Sequence, residues 1–215
     1  MKKEDKQNFL LAFTFLAAFL LWTAAVCTVD VQPIGPLGSA VGFADLNRIF
    51  HDLTGVHLSL YDLTDTLSII PLCLAAGFGM LGLHQWQVRK KLFLVDRNLF
   101  VLGGFYVVVM AVFFFFECFP VNFRPILIEG VLEASYPSST TMLVLCVMPT
   151  AALQLRGRIA KPRLRRGVVA AICIFTLLMV LGRILSGVHW LSDIIGGILL
   201  SAGLVMLYDT VNHLE

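Results

Sequence analysis

The sequence predicts an all-α membrane protein, a polytopic bundle of six transmembrane helices with both termini in the cytoplasm. Of its 215 residues, 58% are hydrophobic and 14% are charged, and the mean hydropathy is +0.86. This is more apolar surface than a soluble core of that size could bury. Six apolar segments approach the length of about 20 residues that a helix needs to cross a bilayer. Of the 16 Lys and Arg residues, 13 lie on one side of these segments.

The six predicted spans differ in how polar they are. Four contain no Lys, Arg, Asp or Glu, and they cover residues 9–29, 66–87, 98–116 and 137–155. The last two, 167–185 and 190–208, reach spanning length only by including Arg183 and Asp193. We expect the six spans to form one integral membrane domain over residues 1–215.

The distribution of basic residues sets the predicted orientation, because loops rich in Lys and Arg are retained in the cytoplasm. The opposite side contains only Arg48, Arg124 and Arg183, together with nine of the 14 acidic residues. That side is therefore predicted to be extracytoplasmic. The compact loops favour the plasma membrane of a prokaryote.

The first extracytoplasmic loop contains a pattern typical of an amphipathic helix. Between residues 40 and 53, apolar side chains such as Phe43, Leu46 and Ile49 alternate with Asp45 and Arg48. Such a helix lies in the membrane interface. It serves either as an anchor or as a lid beside a lipid entry path.

Composition argues against several other kinds of site and partner. The five cysteines lack the clustered spacing of a zinc site or a disulfide scaffold, so we expect no metal from them. A net charge of +2, with the basic residues gathered by membrane side, gives no indication of a nucleic-acid partner. Membrane lipids are the expected surroundings.

Three polar clusters fall on the predicted extracytoplasmic side. An ionisable side chain at membrane depth costs roughly 2.5–3.5 kcal/mol of insertion free energy, so each of these residues needs a partner or a role. The first contains Glu117 and Arg124. The second opens the fourth span and runs from Tyr136 to Thr141. The third lies between the last two spans and contains Arg183, His189 and Asp193.

The second cluster predicts an anion site at a helix start. Pro137 suits the first turn of a helix, and Ser138, Ser139 and Thr140 follow it. Their hydroxyl and backbone N–H groups would meet an anion at the positive end of the helix dipole. The alternative is an ordinary helix cap.

The third cluster predicts a nucleophile or base. His189 and Asp193 are four residues apart, so on a helix the carboxylate would accept a hydrogen bond from one ring nitrogen and leave the other free. Arg183 could hold two oxygens of one phosphate. A single His–Asp pair is usually structural, but together the three clusters favour a site.

In order and spacing, the clusters resemble the three signatures of the type 2 phosphatidic acid phosphatase family, membrane lipid phosphatases related to vanadium haloperoxidases. Those signatures are Lys, six residues, Arg-Pro; then Pro-Ser-Gly-His; then Ser-Arg, five residues, His, three residues, Asp. The corresponding residues here are Glu117 with Arg124 and Pro125, then Pro137-Ser138-Ser139-Thr140, then Gly182-Arg183 with His189 and Asp193.

The resemblance implies a role for each matching residue. His189 would be the catalytic nucleophile that takes the phosphoryl group, and Asp193 would orient it. Phosphate oxygens would be bound by the arginines and the start of the fourth span, that is by Arg124, Arg183, Ser138, Ser139 and Thr140. Such sites use no metal and no other cofactor, and the partner would be a phosphorylated lipid.

Two departures from the family pattern bear on activity. Thr140 stands where the family has the histidine that protonates the leaving oxygen, and a hydroxyl is a poor general acid near neutral pH. Glu117 stands where the family has lysine, so a negative charge replaces a positive one. Glu117 is either a proton donor or a modulator that recognises a cationic group or pairs with Arg124.

These residues favour a phosphoric ester or diphosphate hydrolase that acts on a lipid through a phosphohistidine intermediate at the extracytoplasmic face. A polyprenyl diphosphate would suit the loss of the acid, because its leaving group needs no proton. The alternatives are a lipid phosphotransferase and a catalytically degenerate homologue that binds or transports a phosphorylated lipid.

Overall fold

The computed structural model describes residues 3–214, so residues 1, 2 and 215 of the predicted domain lie outside it. The described chain is all-α, with isolated β-bridges but no strand, as the sequence predicts. Its helices are α1 (Lys3–Thr28), α2 (Ala44–Thr54), α3 (Leu58–Leu67), α4 (Ile69–Arg89), α5 (Arg97–Cys118), α6 (Ser139–Arg158), α7 (Pro162–Leu185) and α8 (Leu191–His213).

Five helical stretches in this part of the chain are long and apolar enough to cross a membrane. They are α1, the continuous pair α3–α4, α5, α7 and α8. Helix α6 has a comparable length of 20 residues, but hydroxyl groups at its start and Arg156 and Arg158 at its end make it less apolar.

Helix α6 lies at the centre of the bundle, packed against α4, α7 and α8, and α1 packs along α8. More than half of the α6 residues are buried. The outer helices instead expose large apolar side chains, for example Leu21 at 72% and Leu178 at 61%. Apolar side chains on the outside suit a bundle that is solvated by lipid.

Helix α2 lies in the segment where the sequence predicts an interfacial helix. Its buried Asn47 donates to the Gly42 carbonyl at 2.8 Å and to Ser192 Oγ at 2.9 Å, and it accepts from the Ser192 N–H at 3.1 Å. Leu46, Ile49 and other apolar residues of α2 remain exposed. Asn47 therefore fixes α2 to the first turn of α8 and leaves an apolar face outward.

The segment before the second predicted span is helical earlier than the sequence suggests. Helix α3 begins at Leu58, in a region that the hydropathy assigns to a loop, and it meets α4 at Ser68. Helix α3 packs against α7. This contact brings Thr64 and Asp65 to the end of α7 that contains Arg183.

The connection between α5 and α6 is a folded loop. The backbone N–H of Arg124 donates to the Glu133 carbonyl at 3.0 Å, and that of Ser135 donates to the Asn122 carbonyl at 2.9 Å. These antiparallel contacts hold two short segments side by side, with the turn at Gly130. The loop therefore places Asn122, Arg124 and Ser135 over the start of α8.

Candidate active site

The three polar clusters meet at one end of the bundle, where α5 and α7 end and α6 and α8 begin. The guanidinium carbons of Arg183 and Arg124 lie 4.9 Å and 5.6 Å from the centre of the Tyr61 ring. Both arginines are also close enough to His189 to act on its charge. The structure thus gathers two guanidinium groups and an imidazole from distant parts of the chain.

A tight turn between α7 and α8 positions His189. Gly187 has a φ of +68°, and a Cβ there would lie 1.9 Å from the Gly55 carbonyl oxygen, so only glycine fits. The carbonyl of Ser186 accepts a hydrogen bond from the His57 N–H at 2.9 Å. The chain before α3 therefore holds the turn in place, and His189 follows it with only 4% of its surface exposed.

The contact between His189 and Asp193 differs from the direct hydrogen bond that their spacing predicts. Ser135 Oγ lies between them, 3.0 Å from His189 Nδ1 and 2.5 Å from Asp193 Oδ2. A serine hydroxyl has one proton, and here it is donated to the carboxylate. Ser135 must then accept from Nδ1–H, which leaves the lone pair on Nε2.

Asp193 has several partners besides Ser135. Its carboxylate accepts from Asn122 Nδ2 at 2.9 Å and from the Trp190 backbone N–H at 3.1 Å. The Trp190 contact is the return half of a capping interaction at the start of α8. Asp193 is fully buried and accepts these bonds in one orientation, so its carboxylate holds Ser135 and His189 in a fixed position.

Arg183 is 1% exposed and is held on several sides. Its Nη2 donates to Thr140 Oγ1 and pairs with Asp65 Oδ1 at 3.2 Å, and its Nη1 donates to Thr64 Oγ1 at 3.3 Å. Its Nε has no hydrogen-bond partner among residues 3–214. This nitrogen remains available to an anion.

Arg124 is paired with Glu133 and not with Glu117. The Nε of Arg124 lies 2.9 Å from Glu133 Oε2, an ion pair without the alignment of a hydrogen bond. No other residue that the structure describes gives Nη1 a hydrogen-bond partner. Glu133 is partly exposed, so water screens the pair. Arg124 therefore keeps a donor free for a bound oxyanion.

The start of α6 supports only part of the predicted anion site. Ser138 is fully buried, its hydroxyl bonds Thr141 Oγ1 at 2.9 Å, and its N–H donates to the Asp193 carbonyl at 3.1 Å. Ser138 is therefore engaged in contacts within the protein, although its hydroxyl makes no capping hydrogen bond to a backbone N–H of α6. The N–H groups of Ser139 and Thr140 precede the first helical hydrogen bond, which Met142 donates, and so stay unsatisfied by the helix.

Glu117 lies in the last turn of α5 at the edge of the site. It is exposed, and it borders a small cleft together with Ser135, Pro137 and Ser139. No hydrogen bond or ion pair of its side chain occurs within the described residues. Glu117 therefore lies at the exposed rim of the site, apart from the buried arginines.

The electrostatic surroundings keep His189 neutral. Burial lowers its pKa well below the ordinary value, the nearby Arg124 and Arg183 lower it further, and hydrogen bonding to Ser135 acts in the opposite direction. The Nε2 atom is buried and has no partner within the described part of the chain. A neutral imidazole whose free lone pair lies near two arginines is equipped to attack an anionic centre.

The lowered pKa of His189 predicts a loss of stability in acid. Below about pH 6.5 the unfolded chain takes up a proton that the folded site excludes, so the contribution of His189 to the free energy of unfolding falls as the pH falls, by at most about 1.4 kcal/mol per pH unit. The check is thermal unfolding of detergent-purified protein between pH 7 and pH 5. His189→Asn should flatten this dependence, and parallel curves for the two proteins would contradict the assignment.

Several residues of the site were missed by the sequence reasoning. Ser135 precedes the Tyr136-Pro137 pair by one position, and a polar residue just before the hydroxyl cluster was its only signal. Asn122 and Glu133 lie in the loop between α5 and α6, where no periodicity indicates a direction, and Asp65 lies in α3, a helix that the hydropathy does not predict. Tyr61 lies before the second predicted span, and no motif singles it out.

Comparison with known proteins agrees with this geometry. Residues 107–213 match the PAP2 superfamily, a region that includes all of the predicted site residues. A similar solved structure is that of a transmembrane PAP2-type phosphatidylglycerolphosphate phosphatase from Bacillus subtilis. It is 19% identical, with a TM-score of 0.61 over 93% of this chain and 94% of that one, a likeness of fold. No curated protein matches the chain significantly.

Proposed function

The chain belongs to the PAP2 superfamily, and from this premise we propose that it hydrolyses a lipid phosphate or diphosphate, of polyprenyl or phospholipid type, through a phosphohistidine intermediate. The observation that carries the proposal is that His189 Nε2, Arg124 Nη1 and Arg183 Nε are all buried without partners among the described residues. Both arginines lie over the Tyr61 ring, and both lower the pKa of His189. These are a nucleophile and two anion-binding groups in one place.

In the first step, the Nε2 lone pair of His189 attacks the terminal phosphorus, and the bond from phosphorus to the leaving oxygen breaks. A diphosphate releases a lipid monophosphate, and a monoester releases a lipid alcohol whose oxygen takes its proton from water. The ring gains positive charge, which Ser135 and the Asp193 carboxylate behind it stabilise through Nδ1–H. Nη1 of Arg124 and Nε of Arg183 bind the phosphoryl oxygens as charge develops on them. In the second step, water attacks phosphorus and releases phosphate and neutral His189.

The leaving oxygen decides which lipid is turned over fastest. Thr140 cannot supply a proton near neutral pH, and its hydroxyl is already in contact with Arg183. A diphosphate releases a lipid monophosphate, which departs without prior protonation. The proposal therefore favours a diphosphate over a monoester.

For the membrane arrangement, we propose six spans, with α6 as the one enclosed by the others. Both termini would be cytoplasmic, because the basic residues gather at the end of the bundle opposite His189. The site would then open at the extracytoplasmic face of a prokaryotic plasma membrane. All helices would belong to one domain.

One observation favours a second candidate, a protein that binds or moves a phosphorylated lipid without cleaving it. Each arginine of the site already has a carboxylate partner, Glu133 for Arg124 and Asp65 for Arg183. These pairs reduce the positive charge that a phosphate would meet. A phosphotransferase would use the same nucleophile with a lipid alcohol in place of water.

A panel of substrates tests the function. Detergent-purified protein is offered phosphatidic acid, phosphatidylglycerol phosphate, undecaprenyl phosphate and undecaprenyl diphosphate, and phosphate release is measured against a mock purification. We expect release from the diphosphate to exceed that from the monoesters by at least about tenfold, since general acid catalysis is typically worth 10²–10⁴-fold to a leaving group that needs it. Binding of these lipids without release from any would favour the second candidate.

A further inference from the structure

A second concave site lies at the far end of the bundle from His189. Helix α6 begins at the candidate active site and runs for 20 residues, about 30 Å, to Arg158. At that far end, three arginines line one cavity of about 480 Å³, together with Val169 and Ala170. They are Arg156 from the end of α6 and Arg165 and Arg166 from the start of α7.

The three guanidinium groups have no anionic partner. Within residues 3–214, none of them has a carboxylate at ion-pairing distance or a side-chain hydrogen bond. Their neighbour Arg158 differs, because it donates to Gln154 Oε1 at 2.7 Å and to Asn98 Oδ1 at 3.2 Å and lies 3.9 Å from Asp96. Retention of basic loops in the cytoplasm requires the charges but does not require them to share a cavity.

The cavity continues into an apolar groove of about 590 Å³. Arg156 and Val169 border both spaces. Helices α7 and α8 each pack on α6 but scarcely touch one another, so α6 forms the floor between them. The volume falls in the range of about 300–1,000 Å³ that is usual for small-molecule sites.

The length of the groove matches one leaflet of a bilayer. Its floor runs along α6 from Leu145 to Arg156, about 16 Å at 1.5 Å per residue. The hydrocarbon core of a bilayer is about 30 Å thick, so this is about half of it. Asp209 of α8 is the acidic residue that lines the groove, and its Oδ1 lies 3.3 Å from Nδ1 of His213, which hydrogen-bonds the Asp209 backbone carbonyl.

We propose that this groove and its three arginines bind an anionic glycerophospholipid of the leaflet opposite the active site, with an acyl chain along α6 and the phosphate at Arg156, Arg165 and Arg166. Basic pockets between transmembrane helices bind anionic headgroups in this way. The site is separate from the candidate active site and does not depend on catalysis.

Binding of dioleoyl phosphatidylglycerol tests the proposal, measured by native mass spectrometry of the detergent-purified full chain. Each arginine removed should weaken binding about fivefold, and the triple variant Arg156→Gln, Arg165→Gln, Arg166→Gln about a hundredfold. The matched control Lys91→Gln, Lys161→Gln, Arg163→Gln removes three charges from the same end outside the cavity. It should bind like the wild type. Equal loss in both triple variants would overturn the proposal.

The groove is tested separately from the charges. Cys173 lines it, whereas the next residue, Ile174, is 60% exposed and lies outside it. Cys173→Trp should reduce retention of phosphatidylglycerol at least about fivefold, and Ile174→Trp should not. Glycerol phosphate, which lacks acyl chains, should fail to compete. Equal retention of phosphatidylcholine and phosphatidylglycerol by the wild type, or full competition by glycerol phosphate, would refute a lipid site.

Discussion

Replacing His189 with Asn is expected to lower phosphate release at least about a thousandfold, as removal of a catalytic nucleophile usually does. The substitution suits the site because Asn Nδ2 can still donate to Ser135 while the nucleophilic Nε2 is lost. The measurement is release from the best substrate of the panel. A second readout is labelling of the protein by lipid carrying radioactive phosphate, which should give an acid-labile adduct in the wild type and none in the variant.

Ser135→Ala is expected to lower phosphate release less than His189→Asn does. It keeps the nucleophile but removes the hydroxyl between His189 and Asp193. We expect a loss of roughly ten- to a hundredfold, the effect of removing a hydrogen-bonded partner that orients a metal-bound histidine. The phosphohistidine adduct should still form in Ser135→Ala.

Undiminished turnover by His189→Asn, or an adduct that survives the replacement of His189, would show that the phosphoryl group is not transferred to His189.

The order of helices could be read from the sequence because lipid imposes a simple rule on composition. A span must satisfy its backbone internally and present apolar side chains, so α1, α4 and α5 stand out as uncharged runs. Helix α6 also lacks charge over residues 139–155, but its centre is shielded by protein. Hydropathy does not indicate which helix is surrounded by the others.

The site residues also divide into those that the sequence reveals and those that depend on contacts in the folded chain. His189, Asp193 and Arg183 could be found because a polar group at membrane depth is costly and because their spacing is that of a signature. Ser135 and Glu133 could not, since the folded loop that positions them depends on backbone contacts between segments about ten residues apart. Loop residues point wherever the surrounding helices direct them, and sequence alone does not reveal this.

Introducing the absent acid should restore hydrolysis of monoesters. Thr140→His is expected to raise phosphate release from phosphatidic acid about a hundredfold, the low end of what general acid catalysis supplies. There is room for an imidazole, because a cavity of about 220 Å³ borders Thr140 and Ser139 between α4, α5 and α6. Release from undecaprenyl diphosphate should change little, since its leaving group needs no proton.

The control is Thr140→Asn, which adds a polar side chain without an acid that works near neutral pH. It shares with Thr140→His the loss of the hydroxyl contact to Arg183, so any difference between the two variants reports the proton and not the contact. The ratio of monoester to diphosphate turnover should rise only with histidine, and it should fall again above the pKa of the new imidazole. An equal rise with Asn would mean that Thr140 restrains Arg183, and no rise with His would mean that the leaving oxygen lies out of its reach.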